Sequence, residues 1–340
     1  MQLIRKDRGE SLLILALSSI LFWLALEGLA LRSVLTLLPI LFAVQIMLTD
    51  LVDAYLLKHT STQTRWFKLF MAPGTILHEL SHLFAALATG CIVTRVSLFK
   101  PNPKTGTLGY VQYQQPIDKW IVVRDIIIGF SPFFGCGLFL FLVNLLAGGG
   151  LLRYAFSLHV SQLDQIFFIH SDTASLLLVN IMSLDLSTMT GILLLYLQAT
   201  FAFGASSSST DLKNAFTSMY RHPIGMIFLL ILLFLLLFLS EKPYGLLGFG
   251  DDIAGGIRIF LSLSLILVLV SQIILILSLP VLALSVQYLR IRGGERYVPP
   301  ILAAATLLLL AYLGFYNPLW IMLVFLISSL MLANKKYFLK

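Results

Sequence analysis

Two histidines and a glutamate stand within five consecutive positions of the chain, in the segment His78-Glu79-Leu80-Ser81-His82. Residues four apart share one face of a helix, so the imidazoles of His78 and His82 are expected to converge on one metal ion. Glu79, beside the first of them, is placed to take a proton from the attacking water. This H-E-x-x-H pattern is typical of zinc hydrolases. If the chain's histidines and glutamates were placed at random, the expected number of matches to the pattern would be roughly 0.002.

The sequence around this motif predicts a helix in an apolar setting. Pro73 suits the first turn of a helix and Gly90 suits the residue just past its end. This predicts about 17 helical residues that start at Pro73 or, as an alternative, a longer helix that extends back through Trp66 with a kink at Pro73. Ionisable side chains cost roughly a few kcal/mol each within an apolar span, so three of them in five positions require an explanation. Apart from a metal site, the explanation would be a polar cluster in which the three side chains bond to one another.

A zinc site built on two histidines requires a third protein ligand. Asp211 is the favoured candidate, because it follows an apolar segment and precedes a helix start, where a carboxylate can turn back toward the other helices. An ordinary role as a helix-capping residue is the alternative for Asp211, and Asp185 is the second candidate for the ligand. The other downstream candidates are Asp125, His159, Asp164, His170, Asp172, His222, Glu241 and Glu295.

The elements that carry these residues are predicted to lie in a membrane. The chain has 340 residues, of which 59% are hydrophobic and 11% charged, whereas a soluble domain is nearer to half apolar and a quarter charged. Several apolar runs reach the roughly 20 residues that a helix needs to cross the hydrocarbon core. These features predict an all-α polytopic membrane protein with about seven to nine membrane helices. The first run, Ser11 to Leu31, is expected to be a retained span rather than a signal peptide.

One segment next to the zinc-binding helix departs from helical patterning. Residues 92–99 and 107–113 are rich in β-branched and aromatic side chains, and the turn-forming residues 100–106 lie between them. This arrangement predicts a β-hairpin. Because an open sheet edge cannot face lipid, the hairpin is expected at the membrane interface or inside the protein.

Charge and cysteine content narrow the classes of partner. The net charge of +7 is expected to set topology and to contact anionic lipid headgroups, and no nucleic-acid partner is predicted. Two cysteines, Cys91 and Cys136, make no disulfide framework, and both are expected to be buried apolar side chains.

The order of four segments along the chain resembles that of the site-2 protease type of intramembrane zinc metalloprotease, including its small bacterial and archaeal relatives. The matching segments are the motif preceded by Pro73-Gly74, the hairpin ending at 106–111, Gly129-Phe130-Ser131-Pro132 where the family often has a Gly-Pro pair, and an aspartate, Asp211, after a later span. The resemblance covers about Pro73 to Ala215. The family's Asn-Pro-Asp-Gly or Leu-Asp-Gly signature is absent around Asp211, and there is no PDZ-like insert.

The resemblance implies roles for individual residues. His78, His82 and Asp211 would bind zinc, Glu79 would be the catalytic base, and the hairpin residues Gly109, Tyr110 and Val111 would bind the substrate. The implied activity is zinc-dependent cleavage of peptide bonds in or near membrane segments of protein or peptide substrates, within a prokaryotic cell membrane. The expected organisation is an N-terminal transmembrane hairpin at 1–60, a zinc metalloprotease core at 61–221 and C-terminal transmembrane helices at 222–340.

Three other functions remain as alternatives. A membrane zincin that trims prenylated or misfolded proteins would use a glutamate as third ligand, and only Glu241 and Glu295 lie downstream. A non-catalytic membrane scaffold could keep zinc for structure, although such a site would not need Glu79. A transporter is disfavoured, because the chain lacks the paired interrupted helices of inverted repeats.

Overall fold

A computed structural model describes residues 15–20, 23–24, 32–59, 64–102, 107–158, 165–206, 209–241, 250–291, 293–312 and 318–333. This part of the chain is mostly helical, with one two-stranded sheet. In chain order the elements are α1 (Arg32–His59), α2 (Arg65–Ala88), β1 (Ile92–Ser97), β2 (Tyr110–Gln114), α3 (Ile121–Leu146), α4 (Leu151–Ser157), α5 (Ile166–Ser183), α6 (Met189–Gly204), α7 (Ser209–Arg221), α8 (Pro223–Glu241), α9 (Gly250–Arg290), a 3-10 turn (Gly293–Tyr297), α10 (Val298–Tyr312) and α11 (Pro318–Ala333).

The chain divides into two compact units. The first comprises residues 1–54 and 61–275, and the second comprises residues 55–60 and 276–340. In the second unit, α10 packs against α11. The boundaries predicted at 60 and 221 stay predictions.

In the described part of the chain, three helical segments are long and apolar enough to cross a membrane: Val34–Leu56, Ile121–Leu146 and Gly255–Pro280. A fourth candidate is the pair Thr210–Arg221 and Pro223–Leu232, which is bent by 103° at its break. These helices give the chain the character of a membrane protein. The predicted number of seven to nine spans stays a prediction, and most of the first predicted span, Ser11 to Leu31, lies outside the described residues.

The motif helix α2 begins at Arg65, eight residues before Pro73. The predicted start at Pro73 was therefore wrong, and the longer helix extending back through Trp66 is the one observed. Thr64 caps the helix, because its hydroxyl accepts a hydrogen bond from the Phe67 amide at 3.3 Å. Pro73 therefore lies inside the helix, where its missing N–H leaves the Leu69 carbonyl without a helical donor. The hydroxyl of Tyr196, from α6, donates to that carbonyl instead. As predicted, Gly90 follows the helix with a φ of +78°.

Glycines let the helices around α2 approach one another closely. A methyl group at Gly204 in α6 would lie 2.5 Å from the Gly74 carbonyl oxygen of α2. A methyl group at Gly135 in α3 would collide with the Ser81 hydroxyl of α2. Because these positions have no side chain, α2 packs directly on both α3 and α6.

The core of the first unit lies beside these contacts and joins residues of six helices, α1, α3, α4, α5, α6 and α9. Its fully buried side chains include Val34 of α1, Phe133 of α3, Leu177 of α5, Ala202 of α6 and Leu265 of α9. Buried polar groups are bonded across the same helices: the Gln45 amide donates to Ser271, whose hydroxyl donates to the Ala202 carbonyl. This packing holds α6 in place behind the motif helix.

The predicted β-hairpin is confirmed, with β1 and β2 pairing antiparallel. The register runs from Ile92 opposite Gln114 to Ser97 opposite Tyr110, with an irregularity between Val93 and Arg95. Beyond the strands, the Lys100 amide donates to the Leu108 carbonyl and continues the ladder toward the turn. The hairpin packs on α2, so it lies next to the motif helix as expected.

Candidate metal centre

The motif histidines and Asp211 converge on one point. His78 and His82 lie one helical turn apart on α2, with ring centroids 4.9 Å apart, and Asp211 lies in the first turn of α7. The Asp211 Oδ2 atom is 3.6 Å from Nε2 of His78 and 3.5 Å from Nε2 of His82. One ligand atom from each of the three residues lies within 4.8 Å of the others. The group could therefore hold a metal ion.

Backbone carbonyls fix the orientation of both imidazoles. Nδ1 of His78 is 2.9 Å from the carbonyl oxygen of Gly204, and Nδ1 of His82 is 2.8 Å from that of Ile128. A carbonyl oxygen only accepts hydrogen bonds, so each Nδ1 must carry the proton. The lone pair of each neutral ring is then on Nε2, which faces Asp211. Hydrogen bonding of the second ring nitrogen to a carbonyl is the usual support of a metal-binding histidine.

The donor set fits a zinc ion. Two imidazole lone pairs and a carboxylate oxygen would repel one another at 3.5 to 3.6 Å unless a cation or protons lay between them. Zinc bonds to nitrogen and oxygen are about 2.0–2.2 Å long, so neighbouring ligand atoms of a tetrahedral site are about 3.4 Å apart. The observed separations are close to that value, and the three side chains are at most one-fifth exposed.

Glu79 lies beside this group and is largely buried, with 8% of its surface exposed. No hydrogen bond joins its carboxylate to any residue that the structure describes. The hairpin holds it from the other side, because a methyl group at Gly109 would lie 2.6 Å from Cγ of Glu79. Glu79 is thus held in position by its neighbours, while its carboxylate can still accept a proton.

A cavity of about 480 Å³ opens onto the four motif and ligand residues. The hairpin residues predicted to bind substrate, Gly109, Tyr110 and Val111, line this cavity. Residues of α1, α2, α3, α6 and α7 form the other walls. The cavity therefore connects the predicted metal site with the predicted substrate-binding strand.

Asp185, the second candidate for the third ligand, does not belong to this group. It lies in the turn before α6, where its carboxylate accepts hydrogen bonds from the Ser187 hydroxyl at 2.6 Å and the Ser187 amide at 3.0 Å. The hydrogen bond from the hydroxyl, aided by that from the amide, lowers the pKa of Asp185. Asp185 is accounted for as a turn residue.

The remaining candidates are also outside the metal group. Asp125 accepts two hydrogen bonds from the Gln115 amide, at 3.0 and 3.1 Å, and Asp172 accepts one from the Tyr154 hydroxyl at 2.9 Å. Among the described side chains, the group contains none of His170, His222 and Glu295. His159, Asp164 and the Glu241 side chain lie outside the described residues.

Tyr113 lines the cavity and was not among the site residues predicted from the sequence. It lies on the same, more buried face of β2 as Val111 and packs against the buried cluster of Ala86, Cys91 and Ile128. Burial, followed by the nearby Asp125 carboxylate, raises the pKa of Tyr113 well above its ordinary value, so the phenol keeps its proton. No hydrogen bond engages that phenol within the described part of the chain. The period-two pattern of the strand was the signal that could have identified it.

Two acidic residues of α1, Asp50 and Asp53, also line the cavity. The sequence shows both near the end of the second apolar run, and their spacing of three places them on one helix face. Only the packing of α1 could show that this face lines the same cavity as the metal group.

The chain was compared with protein-family models, with curated proteins and with solved structures, and no match was found in any of the three comparisons.

Proposed function

We propose that the protein is a zinc-dependent endopeptidase of the site-2 protease type, which cleaves peptide bonds in or near membrane segments of other proteins. The observation that carries this proposal is the position of Glu79: its carboxylate borders the same cavity as the two histidines and Asp211 and has no described hydrogen-bond partner. A purely structural metal site would not need such a group.

Each residue of the site has a part in the proposed reaction. Zinc, when held by His78, His82 and Asp211, would polarise the peptide carbonyl and make water a stronger acid. The Glu79 carboxylate accepts a proton from the attacking water and later delivers it to the leaving amine. The Tyr113 phenol, which remains protonated, is available to donate a hydrogen bond to the carbonyl oxygen as negative charge develops there.

The hairpin is the proposed substrate-binding element. The sheet has two strands in the described part of the chain, so β2 has a second edge that can accept an extended peptide. Such pairing would hold the substrate chain beside Gly109, which touches Glu79. A peptide bond must leave its helix before it can be cut, and strand pairing would compensate for the helical hydrogen bonds that it loses.

The proposal is tested by activity and zinc content measured together. The purified, zinc-loaded protein in detergent would be incubated with fluorescently labelled casein, an unfolded general substrate. We expect cleavage by the wild type, loss of cleavage on chelation, and at least about a hundredfold slower cleavage by Glu79→Gln with zinc content unchanged, because general bases contribute about 10²–10⁴-fold. Equal cleavage by Glu79→Gln, or no cleavage by the zinc-loaded wild type, would contradict the proposal.

A further inference from the structure

Pro132 lies in the interior of α3, the helix Ile121–Leu146. Proline has no backbone N–H, so it cannot donate the helical hydrogen bond to the carbonyl four residues earlier. That carbonyl belongs to Ile128. A carbonyl freed in this way inside a buried helix must find another donor, because an unpaired buried polar group is costly.

Two side chains supply donors to the Ile128 carbonyl. His82 donates from Nδ1 at 2.8 Å, and the Ser131 hydroxyl donates at 2.7 Å. A carbonyl oxygen has two lone pairs, so these two donors occupy it fully. His82 therefore takes a hydrogen-bond position on the Ile128 carbonyl that Pro132 leaves open, while its other ring nitrogen, Nε2, faces Asp211.

The second histidine is oriented by the same principle. His78 donates to the carbonyl of Gly204, which is the last residue of α6. The last carbonyls of a helix have no partner within the helix, so the end of α6 leaves this acceptor open. Both imidazoles thus donate to helix carbonyls that helical bonding does not use.

We propose that Pro132 is a positioning residue of the metal site, which keeps the Ile128 carbonyl free so that His82 holds its proton on Nδ1 and directs Nε2 toward Asp211. For its effect on metal binding this inference rests on the proposed zinc site. Its effect on the His82 ring does not, since the hydrogen bond to Ile128 forms within the chain itself.

Replacement of Pro132 by alanine separates a positioning role from a structural one. Alanine restores an N–H that can donate to Ile128, and this third donor competes with His82. Alanine also favours the helical conformation over proline. A positioning residue therefore predicts weaker metal binding without loss of thermal stability in the metal-free protein, whereas a residue needed only for the shape of α3 predicts loss of both.

The experiment compares the wild type with Pro132→Ala, with the double variant Ser131→Ala/Pro132→Ala, and with Pro39→Ala as matched control. Pro39 is likewise a proline inside a helix, α1, and lies outside the metal group. Zinc affinity is measured by competition with a chromophoric chelator, and cobalt(II) absorption reports the ligand geometry. Thermal unfolding of the metal-free protein reports its stability. Imidazole nitrogen NMR of the metal-free protein reports which ring nitrogen of His82 carries the proton.

We expect zinc affinity to fall about 10- to 100-fold in Pro132→Ala, the usual cost of losing a group that orients a metal ligand. Pro39→Ala should bind zinc like the wild type, and the double variant should regain most of the affinity, because removal of the Ser131 hydroxyl frees one lone pair for His82. In the metal-free protein, the Nδ1–H form of His82 should lose its predominance only in the single Pro132→Ala variant.

Three results would overturn the inference. They are unchanged zinc affinity in Pro132→Ala, an unchanged protonation pattern of His82 in that variant without metal, and a loss of thermal stability in the metal-free variant alongside the loss of zinc affinity. If the wild type bound no zinc while the NMR pattern changed as expected, the positioning of His82 by Pro132 would stand and the proposed zinc peptidase would fail. The two proposals are thereby tested separately.

Discussion

Replacement of Gly204 by alanine tests the packing that builds the site. The added methyl group would meet the Gly74 carbonyl oxygen at 2.5 Å, the Gly74 carbonyl carbon at 2.9 Å and the Cys136 sulfur at 2.9 Å. Ordinary contact begins at 3.4 Å, so the shortfall against the oxygen is 0.9 Å. Since two of these atoms belong to the backbone, no side-chain rotation can relieve the collision, and α6 must move away from α2.

The magnitude follows from the hydrogen bond that crosses the same contact. His78 donates to the Gly204 carbonyl at 2.9 Å, and a displacement of the full 0.9 Å would lengthen it to about 3.8 Å, beyond hydrogen-bond range. Loss of such an orienting bond costs about 10- to 100-fold in metal affinity. The overpacking itself is expected to lower the free energy of unfolding by about 1–3 kcal/mol.

The assay is a zinc competition titration, with thermal unfolding of the metal-free protein measured in parallel. Gly150→Ala is the matched control, because a methyl group there meets no atom of the described residues within 4 Å. The control should retain both wild-type values. If Gly204→Ala bound zinc as tightly as the wild type and unfolded at the same temperature, the close contact between α2 and α6 would not be what orients His78.

Three further predictions concern other parts of the first unit. Tyr113→Phe should lower kcat for casein cleavage about tenfold or more with little change in KM and zinc content, because the developing charge on the carbonyl oxygen loses one hydrogen-bond donor. The control Tyr220→Phe, at an exposed position, should leave casein cleavage unchanged. Equal kcat for both variants would exclude Tyr113 as the donor. Asn180→Ala should lower the free energy of unfolding by about 1–3 kcal/mol, because the buried Asn144 amide nitrogen and the Ala147 carbonyl lose the hydrogen bonds that they make with Asn180. An unchanged midpoint of thermal unfolding would contradict this. The Arg124 guanidinium holds the pKa of Asp118 below its ordinary value. The ionised Asp118 carboxylate therefore stabilises the fold at any pH above the ordinary aspartate pKa, and this stabilisation is lost as the pH falls through the lowered pKa. The midpoint of thermal unfolding should consequently fall less steeply with acidification in Asp118→Asn than in the wild type.

The sequence allowed the local features of the site to be predicted. The spacing of His78 and His82 places both on one face of α2, and the strand–turn–strand pattern predicts the hairpin beside it. The position of Asp211 at a helix start was also visible, and that residue lies in the first turn of α7. These features depend on periodicity and turn chemistry, which neighbouring residues determine.

Other features depend on contacts between distant segments and could not be predicted. The start of α2 before Pro73 depends in part on Tyr196, more than 120 positions away, which bonds the carbonyl that the proline leaves free. The choice between Asp211 and Asp185 required the packing of α7 on α3, because both aspartates follow apolar runs. The role of Gly204 was hidden for the same reason, since a glycine at a helix end has many ordinary explanations.

The direct test of the zinc site is elemental analysis of the purified protein in detergent, for the wild type and for His78→Ala, Asp211→Asn and Asp185→Asn. The predicted result is about one zinc ion per wild-type chain, lost in the His78 and Asp211 variants and retained in the Asp185 variant. Absence of zinc from the wild type after loading under mild conditions, or retention of zinc in Asp211→Asn, would contradict the central claim that His78, His82 and Asp211 bind the catalytic metal.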